Sequence, residues 1–470
     1  MENQVKSKRG GSKFIHDGFA YVFDKASKAD NTLKFYRCEQ KDRCKARIHV
    51  QNNAVIKFLN DHSHEPTPAK IEVDAAKTKI KQLSESSREP TVQVINQCID
   101  NLSQAAQASM PDQCALRKIV RRKRHEVLAP PPAPTSAVDL VLPERYTTID
   151  AHGENEQFLL ADNGPREDRI LIFGRRSNLR YLQQAENVYV DGTFKSAPPL
   201  FAQVYIILAS VYGGVIPILY GLLPNKRRQT YGEFFRMVKD VAPDFKPMRI
   251  FCDFEIAAIL AIQEQLAESA ISGCFFHLSQ NLQRHMAQLG LRSQYNNEAD
   301  FAVHVKMILS LAFVPIDRID DALDHLYATL PLEIQKLLNY FEDNYVGRPN
   351  RRGGGRRQPL FPPEIWNLYQ RVRDGVDRTN NHAEAANRRI QNELGMDHPT
   401  IWKFIDALKK IQAGRDVFLE RLIAGNEPPS KLKKYIQADQ RIESLVLDYE
   451  NRNLNDFLRG IAYKFEMRQN

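Results

Sequence analysis

The sequence has few of the features that mark secreted or membrane proteins. Six cysteines in 470 residues are too few for a disulfide framework, which excludes a small disulfide-stabilised secreted protein and favours a reducing compartment. The longest apolar runs, such as 204–211, are too short to span a bilayer, and residues 1–6 contain no apolar signal region. We therefore expect a soluble protein with no membrane partner.

The remaining composition is that of a globular chain with an anionic partner. A length of 470 residues allows two or three domains, each with its own core. The hydrophobic fraction of 43% and the charged fraction of 26% are ordinary for such domains. The net charge of +9 and the isoelectric point near 9.1 favour a polyanion such as nucleic acid as the partner.

Three acids stand at positions typical of a nuclease core. Asp191 ends a short run of β-formers, Asp253 ends a second such run, and Glu384 lies in the first turn of a predicted helix. Two strand acids followed by a helix acid are the layout of an RNase H-like core. In such a core, three carboxylates hold two Mg²⁺ ions about 3.5–4 Å apart for phosphoryl transfer. We therefore predict an α+β multidomain protein with an RNase H-like mixed sheet.

The element order of the segment 144–300 agrees with that fold. Three meandering strands are followed by alternating helices and strands, and Gly213-Gly214 is a hairpin signal between the second and third strands. The acids on the first and fourth strands are then expected to be neighbours on the sheet. The predicted elements are strands 188–191, 202–211 and 215–223, helix 231–241, a strand to 253, a helix to 268, a strand 271–276 and another helix.

Each of these site residues has a second interpretation. An aspartate before glycine is also a common turn former, and Asn381-x-x-Glu384 resembles a capping box. Glu255 follows Asp253 by two residues and would share its strand face if the strand continued, so it is an alternative ligand. Cys274-x-x-His277 has metal-ligand spacing, but no second pair accompanies it in the core, which favours a structural or site-lining role.

The core resembles the transposase domain of Mutator-like elements (MULE). The similarity covers most of 185–412, and it implies a DDE transposase with Asp191, Asp253 and Glu384 as the metal-binding triad and a helical insertion before the last acid. The residues that carry it are 190–194 with Pro198, 220–226 with Tyr231, 253–255, 273–277 with Gln280, Phe361-Pro362, Trp366-Asn367, 379–381, Glu384 and 398–399 with Trp402.

Residues 10–68 contain four candidate zinc ligands among short β-type runs. Two thiolates and two imidazoles satisfy tetrahedral Zn²⁺, and such a closed set is a structural site whose binding energy folds a small module. The alternative is a pair of buried thiols beside a polar His-Ser-His loop. The ligands are Cys38, Cys44, His62 and His64.

This module resembles the FLYWCH-type zinc finger, although Tyr36 stands where that family usually has tryptophan. Basic residues around the second cysteine would give it a phosphate-binding face. The resemblance rests on Phe14, Tyr21, Tyr36, Arg37-Cys38, 44–47 and 62–64, and the basic residues are Lys41, Arg43, Lys45 and Arg47.

Residues 69–128 read as three helices, namely 71–83, one that begins after Pro90, and 111–127. The third is basic, and either it is a helix-turn-helix reader or phosphate clamp, or it has a solvated face in which 121–124 double as a nuclear import signal. Its cations are Arg117, Lys118, Arg121, Arg122 and Arg124. The proline-rich segment 129–143 is then a stiff linker.

Beyond 300, the pattern is mostly helical. A helical insertion, 301–378, contains helices predicted at 301–313, 319–330 and 332–341 and a glycine-rich loop. That loop is expected to be a mobile cationic segment that either contacts DNA or is merely solvated. A final catalytic helix at 379–412 and C-terminal helices at 413–470, including 415–422 and 432–450, complete the chain. The loop cations are Arg351, Arg352, Arg356 and Arg357.

These observations predict a nuclear DNA transposase of the DDE type that cuts and joins strands at transposon ends. Its expected partners are double-stranded DNA, both transposon ends and target, and further copies of the chain. Its expected cofactors are structural Zn²⁺ and two catalytic Mg²⁺ or Mn²⁺ ions. The main alternative is a domesticated, catalytically inactive DNA-binding transcriptional regulator. A zinc-stabilised adaptor for proteins, and RNA as the target, are the remaining readings.

Overall fold

The computed structural model describes residues 12–27, 30, 32–87, 89–128, 130–151, 153–430 and 432–467. Residues 10–11 of the predicted finger, Ala129 of the predicted linker and residues 468–470 of the C-terminal segment lie outside these ranges. The chain divides into two units, Met1–Pro131 and Pro132–Asn470. The division falls within the proline-rich run that the sequence marks as a linker.

The N-terminal unit begins with a five-stranded antiparallel sheet whose strand order follows the chain. The strands are β1 (Lys13–His16), β2 (Phe19–Ala26), β3 (Leu33–Cys38), β4 (Arg47–Gln51) and β5 (Ala54–Leu59). Asn52 and Asn53, both with positive φ, make the two-residue turn between β4 and β5, a conformation that asparagine tolerates.

Four helices follow this sheet, one more than the sequence predicts. They are α1 (Pro68–Ser86), α2 (Thr91–Ile99), α3 (Gln104–Ala108) and α4 (Gln113–Leu128). Buried side chains of α1, α2 and α4 form one cluster around Ile80, Val94 and Leu116. The short α3 was missed because its five residues, Gln-Ala-Ala-Gln-Ala, carry no apolar stripe. Ser103 caps it by accepting the N–H of Ala106.

The C-terminal unit is built on a seven-stranded mixed sheet in the order β14-β13-β10-β11-β12-β9-β8. The strands β10, β13 and β14 are parallel, and the other pairings are antiparallel. A separate ribbon, β6 (Thr148–Ala151) and β7 (Glu154–Gln157), precedes it. The sheet strands are β8 (Leu159–Asp162), β9 (Leu171–Phe173), β10 (Asn187–Thr193), β11 (Gln203–Val211), β12 (Gly214–Leu223), β13 (Arg249–Cys252) and β14 (Ala270–Gly273).

Several predicted bounds of helices and strands need correction. Fifteen further α-helices surround this sheet among the described residues. They are α5 (Glu144–Thr147), α6 (Leu179–Gln184), α7 (Arg228–Val241), α8 (Ile256–Gln265), α9 (Phe275–Gln288), α10 (Arg292–Asn297), α11 (Ala299–Ser310), α12 (Ile319–Thr329), α13 (Leu332–Phe341), α14 (Pro363–Trp366), α15 (Tyr369–Arg373), α16 (Asn381–Leu394), α17 (Ile401–Ile423), α18 (Lys433–Leu447) and α19 (Leu454–Ala462).

Two of the corrections concern the neighbourhood of the acids. The strand predicted at 271–276 ends at Gly273, because Phe275 already begins α9. The single helix predicted at 379–412 is two helices, α16 and the first part of α17. The helix α16 ends at Leu394 and is capped by Gly395, whose left-handed φ of 62° suits glycine. The helix predicted at 415–422 is the last part of α17.

The core lies on both faces of the sheet. Val188 and Val190 of β10 pack with α7 and α8, whereas Tyr189, between them, packs with α16 and α17 on the opposite face. Because side chains alternate along a strand, Asp191 shares the face of Tyr189. The first acid therefore points towards the helix that carries Glu384.

Candidate metal sites

The four candidate zinc ligands of the finger meet at one point. Ligand atoms of Cys38, Cys44, His62 and His64 all lie within 4.8 Å of one another. The Cys38 Sγ lies 3.2 Å from His64 Nε2, and the Cys44 Sγ lies 3.3 Å from His62 Nδ1. Both cysteines are buried. The cluster fits a tetrahedral zinc site with two sulfur and two nitrogen donors.

Hydrogen bonds on the far side of each ring orient the two imidazoles. His62 Nε2 lies 2.7 Å from the Tyr21 hydroxyl, and His64 Nδ1 lies 2.9 Å from the carbonyl oxygen of Glu65. The Phe19 ring stacks on His62 at 3.6 Å between centroids. A ligand histidine fixed in this way presents its other nitrogen to the metal. The geometry therefore assigns Nδ1 of His62 and Nε2 of His64 as donor atoms.

The two thiols differ in acidity. Burial raises the pKa of Cys38 to about 11. Burial also raises the pKa of Cys44, but hydrogen bonds from the backbone of Ala46 and Ser63 outweigh it, so that the pKa is lowered overall. Cys44 is therefore the thiol that deprotonates more readily, and a bound cation would be needed to hold Cys38 as a thiolate.

In the C-terminal unit, strand pairing places the first two acids side by side. The parallel strands β10 and β13 pair in the register Asn187↔Arg249 to Tyr189↔Phe251, and continuing this register sets Asp191 opposite Asp253. Both acids lie at the carboxyl ends of their strands. The predicted neighbourhood of the first and fourth core strands is thereby confirmed.

Hydrogen bonds hold both oxygens of Asp191. Its Oδ1 accepts the backbone N–H of Gly192 at 2.9 Å, and its Oδ2 accepts the side-chain N–H of Asn387 at 2.8 Å. Asn387 lies three residues after Glu384 on α16, so the two share a helix face. No local pattern in the sequence singles out Asn387.

Burial and mutual repulsion dominate the electrostatics of this cluster. Burial, followed by the charge of Asp253, raises the pKa of Asp191 to about 8, and the charge of Glu384 adds to the effect. Burial likewise raises the pKa of Asp253, although the charges of Lys226 and Arg284 oppose it. Buried carboxylates this close are unfavourable without a cation. Their oxygen donors are those that Mg²⁺ and Mn²⁺ prefer.

His277 of α9 joins the acids. Its ring lies within 4.8 Å of carboxylate oxygens of Asp191 and Asp253, and also within 4.8 Å of Glu384 and Cys274. Burial lowers the pKa of His277 to about 4, so the ring is neutral at physiological pH. Its buried Nδ1 has no hydrogen-bond partner within the described part of the chain. The structure therefore brings His277 and Cys274 together with the acids, and their site-lining role stays a prediction.

Asn380 joins the start of α16 to the strand of the first acid. Its side chain donates to the carbonyl oxygen of Val190 at 2.8 Å, and its backbone N–H donates to Cys274 Sγ at 3.1 Å. Asn380 is also the N-cap residue, and its side chain makes no capping hydrogen bond. Because α16 begins at Asn381, Glu384 lies one residue beyond the capping-box position, which disfavours the capping alternative.

The structure does not support Glu255 as an alternative metal ligand. The strand β13 ends at Cys252, so Glu255 does not share a strand face with Asp253 and is instead the N-cap residue of α8. Its Oε1 accepts the hydroxyl of Tyr231 at 2.9 Å, and its Oε2 lies 3.4 Å from the ammonium of Lys226.

Two family models match the two regions that hold these clusters. The FLYWCH zinc finger domain matches residues 4–64, and the MULE transposase domain matches residues 187–281. The chain joins a FLYWCH zinc finger to a MULE transposase domain. Both resemblances predicted from the sequence are confirmed, and the FLYWCH match agrees with a structural Zn²⁺ on the Cys₂His₂ cluster.

Similar curated proteins share only a short part of the chain. The FLYWCH transcription factor 2 of Caenorhabditis elegans is 34% identical over 73 residues, 15% of this chain and 15% of that protein. The FLYWCH transcription factor 3 of the same organism is 43% identical over 56 residues, 12% of this chain and 13% of its own length. The chain thus spans about a seventh of the length of these relatives.

The basic side chains of the N-terminal unit, which comprises the finger and the four helices after it, differ in whether they already have a polar partner. Lys45, Lys118, Arg121 and Arg122 are exposed. Arg47 lies 3.4 Å from Asp24, Arg117 donates to Gln113, and Arg124 donates to the carbonyl oxygens of Ser87 and Glu89. Arg124 therefore holds the start of α2 against α4, whereas the first four remain available to phosphates.

The glycine-rich loop of the insertion is a closed turn rather than an open segment. Pro349 and Arg356 form an isolated β-bridge, and Arg356 also pairs with Glu342 and Asp320, each at 2.6 Å. Arg351, Arg352 and Arg357 are exposed. Arg356 is therefore held by ion pairs at the base of the loop, and this base supports the exposed cationic tip.

Among the residues that the structure describes, no helix is both long enough and apolar enough to cross a bilayer.

Proposed function

We propose that this chain is a DDE transposase, which cuts and joins DNA strands at transposon ends by two-metal phosphoryl transfer. The observation that carries the proposal is the convergence of Asp191 and Asp253, on adjacent parallel strands, with Glu384 on the helix packed over them. The MULE match over 187–281 supports the same class of chemistry. A mixed sheet with its acids at the ends of neighbouring strands suits an RNase H-like core.

In this proposal, Asp191, Asp253 and Glu384 would hold two Mg²⁺ or Mn²⁺ ions, with Asp191 serving both. Such ions would supply activation of an attacking water, or later of a DNA 3′-hydroxyl, and stabilisation of the leaving oxygen in an in-line displacement. The protein's part is to hold the carboxylates. Gly192 and Asn387 fix both oxygens of Asp191, and His277 adds a neutral donor without a competing positive charge.

We divide the chain into seven parts, and we assign those outside the core to recognition of DNA or to completing the core. They are the zinc finger (10–68), a basic helical segment (69–128), the linker (129–143), the core (144–300), the insertion (301–378), and the helices that complete the core (379–412 and 413–470). The exposed cations of the finger, α4 and the loop would contact backbone phosphates of transposon ends and target. A homo-oligomer acting in the nucleus fits a reaction on two element ends.

Strand cleavage of DNA that carries the element's own ends, with Mg²⁺ or Mn²⁺, tests the proposal. We expect cleavage by the intact protein and none by Asp191→Asn, with DNA binding and folding unchanged. The variant Asp244→Asn, which changes an exposed acid of the same unit, is the matched control. Binding without cleavage by either protein, across ions and candidate ends, would contradict the enzymatic proposal.

That outcome would favour the second candidate, a domesticated DNA-binding transcriptional regulator. Its support is that the similar curated proteins are named transcription factors. A regulator of this kind would keep the finger and would have no use for the carboxylate cluster. Asp191→Asn would then leave its effect on transcription unchanged, whereas Cys38→Ser would abolish it.

A further inference from the structure

A lysine lies at the rim of the carboxylate cluster, although it is distant from the acids in sequence. The Lys226 Nζ lies 3.7 Å from the ring centroid of Phe194, which follows Asp191 by three residues. It also lies 3.4 Å from Oε2 of Glu255, which follows Asp253 by two residues. Lys226 therefore joins the segments that follow the two acid-bearing strands.

Buried groups build the position of this lysine. Gln203 donates its side-chain N–H to the Tyr231 hydroxyl at 2.7 Å, and Tyr231 donates to Oε1 of Glu255 at 2.9 Å. Gln203 and Tyr231 are completely buried. An ordinary surface ion pair has no such support and orders neither partner. Here the Tyr231 hydroxyl fixes one oxygen of the Glu255 carboxylate, and the second oxygen orients Lys226.

The lysine remains accessible to a ligand. Its side chain is 45% exposed, and the neighbouring ring of Phe194 is 42% exposed. A second cation, Arg284, lies seven residues after His277 on the same face of α9 and is exposed. The two cations belong to different elements beside the acids, because Lys226 lies in the segment before α7 and Arg284 lies on α9.

We propose that Lys226, with Arg284, forms a subsite for a backbone phosphate of DNA beside the three acids. The inference rests on the proposed function and deepens it. A DNA strand that approaches three carboxylates is repelled, and fixed cations at the rim offset that repulsion while they set the position of the strand. An ammonium suits the task as a compact charge with three donors. Glu255 and Phe194 are positioning residues for it.

A simpler role for Lys226 is to neutralise Glu255, and the two roles differ in their consequences. If Lys226 only neutralises Glu255, then Lys226→Met lowers the melting temperature and leaves DNA affinity unchanged. If Lys226 binds phosphate, the affinity falls while the fold is retained. Glu255→Gln separates the roles further, because it removes the carboxylate charge that competes with phosphate while the amide oxygen can still accept from Tyr231, so the DNA affinity should be maintained or should rise.

The test is binding of the full-length, zinc-loaded chain to a generic DNA duplex of about 30 base pairs in Ca²⁺, over a range of salt concentrations. We expect Lys226→Met to weaken binding about tenfold. The slope of log K against log salt should become shallower by about 0.9, the value for one lost phosphate contact. Lys226→Arg should restore the slope because it keeps the charge.

Arg228→Met is the matched control. Arg228 lies two residues away in an exposed pair with Glu264, at 2.9 Å, and its loss should change neither quantity. A wild-type affinity and slope in Lys226→Met would overturn the proposal. Because the measurement needs no cleavage, a chain that fails to cut DNA but shows the expected slope change keeps the subsite and loses only the proposed enzymatic function.

Discussion

Asn387 donates its side-chain N–H to Oδ2 of Asp191 over 2.8 Å. This bond links the helix of the third proposed ligand directly to the first, because Asn387 lies one turn after Glu384. A hydrogen bond of this kind orients a ligating carboxylate and favours its ionised form. This hydrogen bond therefore fixes the distance between strand β10 and helix α16 beside the acids.

The first prediction concerns this bond. Asn387→Ala should lower metal-dependent cleavage about 10- to 100-fold and weaken activation by Mn²⁺ by a similar factor, as losses of such supporting bonds do elsewhere. The measurement is the rate of cleavage as a function of Mn²⁺ concentration. Glu393→Gln is the control, because Glu393 lies on the same helix as Asn387 and only its surface pair with Lys410 of α17 is broken. A full rate at ordinary Mn²⁺ concentrations would contradict the assigned role.

The second prediction concerns repulsion among the acids. Burial, with the charge of Asp253 next, raises the pKa of Asp191 to about 8 from an ordinary 3.8. The folded state therefore binds this proton more tightly than the unfolded state does. The contribution of the group to stability is complete at low pH and is lost as the pH rises through the interval between these two values.

Asp253→Asn should therefore raise the melting temperature of the metal-free chain at pH 8 by about 2–4 °C, with a smaller gain near pH 5. Divalent ions should stabilise the wild type more than the variant, because only the wild type keeps all the acids. Thermal unfolding with EDTA and with Mn²⁺ is the measurement, and Asp244→Asn is the control. A variant less stable than the wild type at pH 8 in EDTA would refute the repulsion.

The positions of Asp191 and Asp253 at the ends of neighbouring strands could be predicted because each follows a local pattern. Asp191 and Asp253 end short β-type runs, and pairing of β10 with β13 then brings them together without further information. The strands β8 and β9 were missed because they are four and three residues long. Only the pairing of β9 with β12, and of β8 with β9, makes them part of the sheet.

The residues that support the site could not be found in this way. Asn387 lies 196 positions from the carboxylate that it holds, and the lysine at the rim begins the run Lys226-Arg227-Arg228, whose pattern does not single out one cation. From the sequence, Glu255 is an alternative ligand only if the strand periodicity extends past Cys252. The chain instead enters α8 there, which turns Glu255 towards Tyr231. Each of these contacts joins elements distant in sequence, so it follows from tertiary packing rather than from local propensity.

The third prediction concerns the zinc site. Tyr21→Phe removes the hydroxyl that lies 2.7 Å from Nε2 of His62, which leaves that ring without its orienting partner. We expect zinc affinity to fall about 10- to 100-fold, measured by competition with a chromogenic chelator on the full chain. Tyr36→Phe, on the adjacent strand and outside the ligand set, is the control. Equal zinc release from the two variants would contradict the assigned donor atoms.

The fourth prediction separates bracing from DNA contact in the glycine-rich loop. Arg356 pairs with Glu342, whose side chain is only 5% exposed, so its removal leaves a buried carboxylate with one cation partner fewer. Arg352 is exposed at the tip. Arg356→Met should therefore cost stability, up to the about 3–5 kcal/mol typical of a broken buried pair, although Arg348 still contacts Glu342. Arg352→Met should leave the melting temperature unchanged.

DNA binding should respond in the opposite order. Loss of Arg352 removes a charge that is free to meet a phosphate, so the affinity for duplex DNA should fall and its salt dependence should become shallower. At temperatures well below its melting point, Arg356→Met should bind DNA nearly as the wild type does, because its side chain is already paired. Thermal unfolding and salt-dependent binding of both variants are the measurements. If Arg356→Met weakened binding more than Arg352→Met at equal folded fraction, the loop tip would not be the part that contacts DNA.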